Sequence, residues 1–168
     1  RRTLSTEPFS GQVKSNGEGK VEWSIAWPLD QEPYLSTYCN TVPTPLGGTH
    51  EAGLRSGLLR ALKNHAELIN NKQVSKVTAE DIVGGAGVLL SVFVRDPQFQ
   101  GQTKEKLVSA SATKVVENAI RDHFEHWLSG DPETAQMLLE HVIERAENRL
   151  RKRDDKQTKR QSATRRLR

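Results

Sequence analysis

The stretch Lys20–Pro28, KVEWSIAWP, decides the fold class of this chain. Val21, Trp23, Ile25 and Trp27 alternate with Lys20, Glu22 and Ser24. A period of two is that of a strand with one face buried and one face wet. Pro28 lacks the amide that a continued ladder needs, so the strand stops there. Upstream, PFSGQVK runs into SNGEG, whose Asn and Gly residues accept positive φ. The pattern predicts two strands around a turn. Downstream, YLSTYCNTV (Tyr34–Val42), rich in Thr and aromatic residues, predicts a third strand.

The periodicity then changes. PTPLGGTHEAGLRSGLLRALKNHAELI reads as a loop entering a long helix. Thr49 is the natural N-cap, Glu51 sits near the positive end of the dipole, and Leu54, Leu58, Ala61, Leu62 and Ile69 form the expected buried stripe. Gly47 and Gly48 let the chain turn tightly onto the helix start. NNKQVSK is a polar connection, and TAED opens a short helical turn capped by Thr78. GAGVLLSVFV is almost continuously apolar, the expectation for a strand buried on both faces. VSASATKVVENAIRDHFEHWL predicts a second long helix burying Val115, Val116, Ala119, Ile120, Phe124, Trp127 and Leu128. SGDP breaks it. Asp131 caps the next helix, and Pro132 takes its first position. That helix turns Ala135, Leu138, Leu139, Val142, Ile143, Ala146 and Leu150 inward. Past Arg151 the apolar period is lost, which predicts fraying into a basic linker. The order strands, helix, strand, helix, helix makes an α+β fold, a sheet with helices on one face.

At 168 residues the chain suits one domain with an appendage. No apolar run approaches membrane-spanning length. RRTLSTEPFS has neither an initiator Met nor an apolar stretch behind its arginines, so it is read as an internal cut rather than a signal peptide. The single cysteine, Cys39, cannot make an internal disulfide and fits a reducing, cytoplasmic setting. Charge is unevenly placed. Residues 145–168 hold 11 Lys/Arg against 3 Asp/Glu, whereas the remainder is mildly acidic. Such a block attracts polyanions or is simply solvated.

Several motifs fail on chemical grounds. THEAGLR would need a second histidine at position 54 to bind zinc as a protease does, and Leu54 stands there. His123 and His126 share a helix face but have no further ligands at suggestive spacing, so no metal site is expected. VGGAGV precedes a strand rather than a helix and cannot cradle a phosphate. What remains is DPQFQGQTKEKL, Asp96–Leu107, a connection longer than a turn requires. Gln102 offers an amide and Lys104 three donors, suited to a terminal phosphate oxygen where charge builds in phosphoryl transfer. The chain carries no Walker sequence, so such a site would need a second domain upstream. An ordinary solvated lysine is the other reading.

YCNTVPTPLGGTHEAGLRSGLLRAL, TAEDI and DPQFQGQTKEKL resemble the second, transducer domain of the ATPase subunit of bacterial type II topoisomerases, the gyrase B family, from about Phe9 to Arg153. NTVPT and the Gly101 before QTK are closer to the topoisomerase IV branch. The resemblance implies a left-handed β-α-β crossover and a long C-terminal helix. It implies a transducer over residues 1–153, a basic linker over 154–168 toward a metal-binding cleavage domain, and an ATPase domain upstream. Lys104 would be the switch lysine on the ATP γ-phosphate and Gln102 its companion, with ATP and Mg2+ held mainly by the upstream domain. The helices Ala112 to Leu128 and Pro132 to about Arg153 would carry the motion that hydrolysis releases. Arg55 matches a position facing a DNA-conducting cavity, or is a solvated helix arginine. The implied partners are DNA, the topoisomerase A subunit, and a second copy joined through the ATPase domains. The isolated piece should be inactive. A stand-alone basic nucleic-acid-binding module is the competing reading.

Overall fold

The computed structural model describes residues 4, 7–15 and 19–166. The sheet is built from β1 (Phe9–Ser15), β2 (Gly19–Ala26), β3 (Tyr34–Cys39), β4 (Val42–Pro43) and β5 (Gly87–Val94). Its order is β1-β2-β5-β3-β4. Within it β3 and β5 run parallel, and the other strand pairs run antiparallel. The chain between them holds α1 (Thr49–Leu68), a 3-10 turn (Lys72–Lys76) and α2 (Ala79–Val83), then α3 (Ala110–Gly130) and α4 (Pro132–Arg166) follow the sheet. The β3-α1-β5 unit is thus a βαβ crossover between neighbouring strands. The predicted turn at Asn16–Glu18 lies outside the described residues.

The alternation in KVEWSIAW sets the two faces of the whole sheet. Pairing places Phe9, Ile25, Val88 and Leu35 in one row across the inner face. Gly11, Trp23, Leu90 and Thr37 form the next, and Val13, Val21, Val92 and Cys39 a third. Gly11 belongs there because a Cβ would stand 2.7 Å from the Trp23 ring. Phe9, Trp27, Phe124 and Trp127 meet with ring centroids 4.9–6.0 Å apart, joining the sheet to α3. The outer face is wetter than the apolar run of β5 suggested. Leu89 is 43% exposed, and Ser91 and Phe93 are only half-buried. So β5 is buried on one face, because both long helices cover the same side.

The helix α1 lies against α3 through Gly53 and Gly57, spaced one turn apart. A Cβ on Gly53 would stand 2.4 Å from the Thr113 carbonyl oxygen, and one on Gly57 2.8 Å from that of Glu117. Backbone therefore meets backbone, the closest approach two helices can make. Alanine should favour an isolated helix by about 1 kcal/mol over glycine. At Gly53 it instead forces α1 off α3, an overpacking cost of about 1–3 kcal/mol. Gly53→Ala is expected to lower the urea midpoint, with a net loss of up to about 2 kcal/mol. A raised midpoint would show that the helices can separate freely.

Four sequence expectations change here. The third strand does not run to Val42. It stops at Cys39, and the chain reverses at Asn40 (φ 50) and Thr41 (φ 68). Asn40 compensates for this backbone by pairing its side chain with β5. Its amide donates to the Val94 carbonyl (3.0 Å) and its Oδ1 accepts the Val94 N–H (2.8 Å). At the start of α1, Gly48 is the N-cap, and Thr49 is already helical with its hydroxyl buried and unpartnered among the described residues. At its end, Ile69 lies beyond the last turn and is 44% exposed, while Ala66 fills the stripe. Finally, α4 does not fray after Arg151. It continues to Arg166, with residues 151–166 fully on the surface. Lys, Arg, Gln and Ala are good helix formers, and propensity needs no apolar period. Asp131 caps it as expected, its carboxylate accepting the Thr134 N–H (3.2 Å) and hydroxyl (2.6 Å).

Candidate functional site

The segment after β5 is a narrow loop pinned at its base. Asp96 adopts φ 51 and turns the chain away from the strand. The Val108 N–H then donates to Gln98 O (2.8 Å) and the Gln100 N–H to Lys106 O (2.9 Å), around an antiparallel bridge between Phe99 and Leu107. The Ser109 hydroxyl, itself buried, accepts the Gln98 N–H at 2.8 Å. Leu107 is the anchor. Its side chain is fully buried, its N–H donates to Gly47 O (3.1 Å), and its carbonyl accepts the Thr49 N–H (2.9 Å). Gly48 must be glycine, since its φ is 140 and a Cβ would stand 2.2 Å from the Leu107 carbonyl oxygen. Helix start and loop base are therefore one backbone assembly.

Above this base the tip stands clear. Residues 101–106 are all exposed, and Gly101 takes φ 76 in open space. The Glu105 N–H closes a tight turn onto Thr103 O at 2.6 Å. Among the described residues neither the Gln102 amide nor the Lys104 ammonium has a hydrogen-bond or ion-pair partner. The tip can offer an amide and a cation to something outside the chain.

Arg55 sits apart from the tip. It shares a cleft with Lys106, Leu107 and Glu51, and its charge is already paired. Nε and Nη2 donate to Glu51 Oε1 at 3.3 and 3.2 Å, and Nη1 to Glu80 Oε2 at 2.7 Å. His123 and His126 are exposed, and among the described residues no group of three or more His, Cys, Asp or Glu could hold a metal ion. Cys39 is buried, and burial pushes its thiol above the ordinary range.

Two buried polar nodes escaped sequence reading. His50 is fully buried in the first turn of α1. The Thr37 hydroxyl donates to Thr44 O (2.9 Å), so the Thr44 hydroxyl donates to Thr37 Oγ1 (2.7 Å), and His50 Nε2–H donates to Thr44 Oγ1 (2.9 Å). This leaves Nδ1 as a bare acceptor with no partner among the described residues. Burial pushes the imidazole pKa down to about 4. The signal was available, because His50 stands one turn before Leu54 on the apolar stripe. The second node fixes α4. Asp81, 4% exposed, accepts from Arg149 Nε and Nη2 at 3.1 Å each, and its Oδ2 also accepts the Thr78 N–H (2.8 Å) and hydroxyl (3.1 Å). Arg149 continues to Lys76 O (2.9 Å) and Arg145 to Asp81 O (3.1 Å). No spacing rule links positions 68 apart.

Burial alone would raise the Asp81 carboxyl, but the Arg149 and Thr78 donors outweigh it and hold it below the usual carboxylate range. Its contribution to stability is present above pH ~4 and is lost as pH falls through that depressed native value. Asp81→Ala should cost about 2 kcal/mol at neutral pH, combining a lost helix cap with lost charged hydrogen bonds, discounted because Arg149 is over a third exposed. Urea unfolding would check it. A loss under about 0.5 kcal/mol, that of an ordinary surface change, would mean the node does not anchor α4.

Comparison with known proteins bears on the family and the fold. The DNA gyrase B family model matches residues 2–158. The chain belongs to the DNA gyrase B family. It is 51% identical over 169 residues to the DNA topoisomerase 4 B subunit of Bartonella bacilliformis, covering 100% of this chain and 24% of that protein. The same subunit of Caulobacter vibrioides is also 51% identical, with coverage of 99% and 25%. Among solved structures, the topoisomerase IV ATP-binding domain of Francisella tularensis superposes with a TM-score of 0.78 at 34% identity, covering 88% of this chain and 41% of that one. The 43K ATPase domain of Thermus thermophilus gyrase B gives 0.80 at 25% identity, covering 93% and 42%. This gyrase B family chain thus spans about a quarter of the curated relatives it matches, and its fold is that of part of the solved ATPase regions.

Proposed function

We propose that the chain is the transducer domain of the B subunit of an ATP-dependent type II DNA topoisomerase of the topoisomerase IV branch. Its Gln102–Lys104 tip would contact the γ-phosphate of ATP bound in an upstream ATPase domain. The observation that carries this reading is the tip itself. A rigid, Leu107-anchored base presents an unpartnered amide and ammonium away from the body of the domain, with Gly101 giving the backbone its turn. Those donors fit an anionic oxygen, whereas among the described residues no group of three or more His, Cys, Asp or Glu could hold Mg2+. The nucleotide and its metal would therefore be held elsewhere, and the isolated chain should neither hydrolyse ATP nor cut DNA.

In this reading Lys104 supplies positive charge where negative charge develops, and its contact lasts only while the terminal phosphate is present. Loss of that anion frees the tip, and the two domains rotate. Because the loop base is bonded to the start of α1 and leads directly into α3, the displacement passes into the helical layer and along α4. The partners would be DNA, the topoisomerase A subunit, and a second copy joined through the ATPase domains, in the cytoplasm. Arg55 would face the DNA cavity only after release from Glu51 and Glu80. ATP turnover of the chain extended N-terminally through its ATPase domain, with and without Lys104→Ala, tests the reading. An unchanged rate withdraws it.

A further inference from the structure

The exposed half of α4 is not uniformly basic but one-sided. At about 100° per residue, Arg145, Arg149 and the cations Lys152, Arg153, Lys156, Lys159 and Arg160 fall within an arc of about 120°. Glu144, Glu147, Asp154 and Asp155 all fall outside it. The same side lines a trough at the root of the helix, where Glu80 and Asp81 face Arg145, Arg149, Lys152, Arg153, Lys156 and Arg160. Arg149 is paired with the Asp81 carboxylate, and Arg145 gives its Nε–H to the Asp81 carbonyl. The other five cations have no ion-pair or side-chain hydrogen-bond partner among the described residues, and all are exposed.

We infer that this face of α4 is a binding site for the phosphate backbone of double-stranded DNA. Lys152 to Arg160 puts five positive charges on about 12 Å of straight helix. Duplex DNA is a matching linear array, with one negative charge per about 1.7 Å of axis. A protein partner fits poorly, because residues 152–160 read KRDDKQTKR and offer no apolar side chain to bury. Charged residues without an apolar anchor are depleted from protein interface cores, whereas counterion release alone drives binding to a polyanion. The Asp81 node gives the face its direction, since it clamps the helix root immediately before the free cations begin. The choice of duplex DNA as the polyanion rests on the topoisomerase reading. The face itself rests on the helix.

The test is fluorescence anisotropy of a labelled duplex of about 20 base pairs titrated with this chain over a range of KCl. If all five cations meet phosphates, affinity falls with a log–log slope near about −4.5, roughly 500-fold between about 50 and 200 mM salt. Replacing Lys152, Arg153, Lys156, Lys159 and Arg160 by Gln keeps helix propensity and should abolish most of that slope. Neutralising Arg151, Arg165 and Arg166, outside the arc, should leave it largely intact, with circular dichroism confirming the helix in both. Equal losses from both variants would reduce the effect to net charge and overturn the site. Displacement by polyglutamate as readily as by unlabelled duplex would overturn the assignment to DNA. Either failure alongside a large Lys104→Ala effect on ATP turnover would leave the transducer reading standing.

Discussion

Lys104→Ala, in the chain extended through its ATPase domain, is expected to lower steady-state ATP turnover about 100- to 1000-fold, equivalent to roughly 3–4 kcal/mol. The loss should fall mainly on kcat. A donor aimed at charge that grows in the transition state contributes there and little to the ground state. Nucleotide affinity, measured directly, should change far less. Lys106 supplies the control. It is two residues further on, equally exposed, and on the descending arm rather than the tip, so Lys106→Ala should turn over ATP normally. Gln102→Ala removes a neutral donor and should cost less than the lysine. If Lys104→Ala and Lys106→Ala behave alike, the tip is ordinary surface and the γ-phosphate contact has to be given up.

The second large effect is acid sensitivity centred on His50. The folded domain holds this imidazole neutral, because protonation would place a second N–H at Nδ1, where no acceptor is available among the described residues. Its native pKa of about 4 lies well below the ordinary unfolded value of about 6.5. Above pH ~6.5 both states are neutral and folding is unaffected. As pH falls from ~6.5 to ~4 the unfolded chain takes up the proton first, so stability drops by about 3 kcal/mol and then levels off. His65 and His141 are also shifted down by burial and add to the same trend. The comparison with His50→Gln isolates one site, since the Gln amide can still donate to Thr44 Oγ1 without titrating. Urea unfolding at a series of pH values should show a shallower decline for the variant. Parallel curves would mean that the buried histidine is not what acid attacks.

Much of this architecture is legible in the sequence wherever burial imposes a period. Val21, Trp23, Ile25 and Trp27 declared the inner face of the sheet, and the Asp131-Pro132 pair marked the start of α4. The exposure of the tip was legible for a different reason. Gly101, Gln102, Thr103 and Lys104 include no apolar side chain to bury, so the segment stands in solvent. The failures share another cause. Asn40 and Thr41 turn the chain without a glycine, and the strain at Thr41 is offset by Asn40 bonds to a strand more than fifty residues away. The continuation of α4 past Arg151 carries no apolar stripe, so periodicity had nothing to detect. Asp81 with Arg149, and His50 with Thr37 and Thr44, are tertiary pairings that no local pattern encodes.

The paired base of the tip loop also restricts how its length can change. Gln98 with Val108 and Gln100 with Lys106 hold the two arms in antiparallel register. A single inserted residue in either arm would shift one against the other and turn the Phe99 or Leu107 side chain to the wrong face. Residues added in matched pairs, one on each arm, keep the register and lengthen the loop by about 3.4 Å per pair. The reach of this finger is therefore stepped rather than continuous. Among relatives, length variants that still work should differ by even numbers of residues in the arms, and odd changes should be confined to the tip between Gln100 and Lys106.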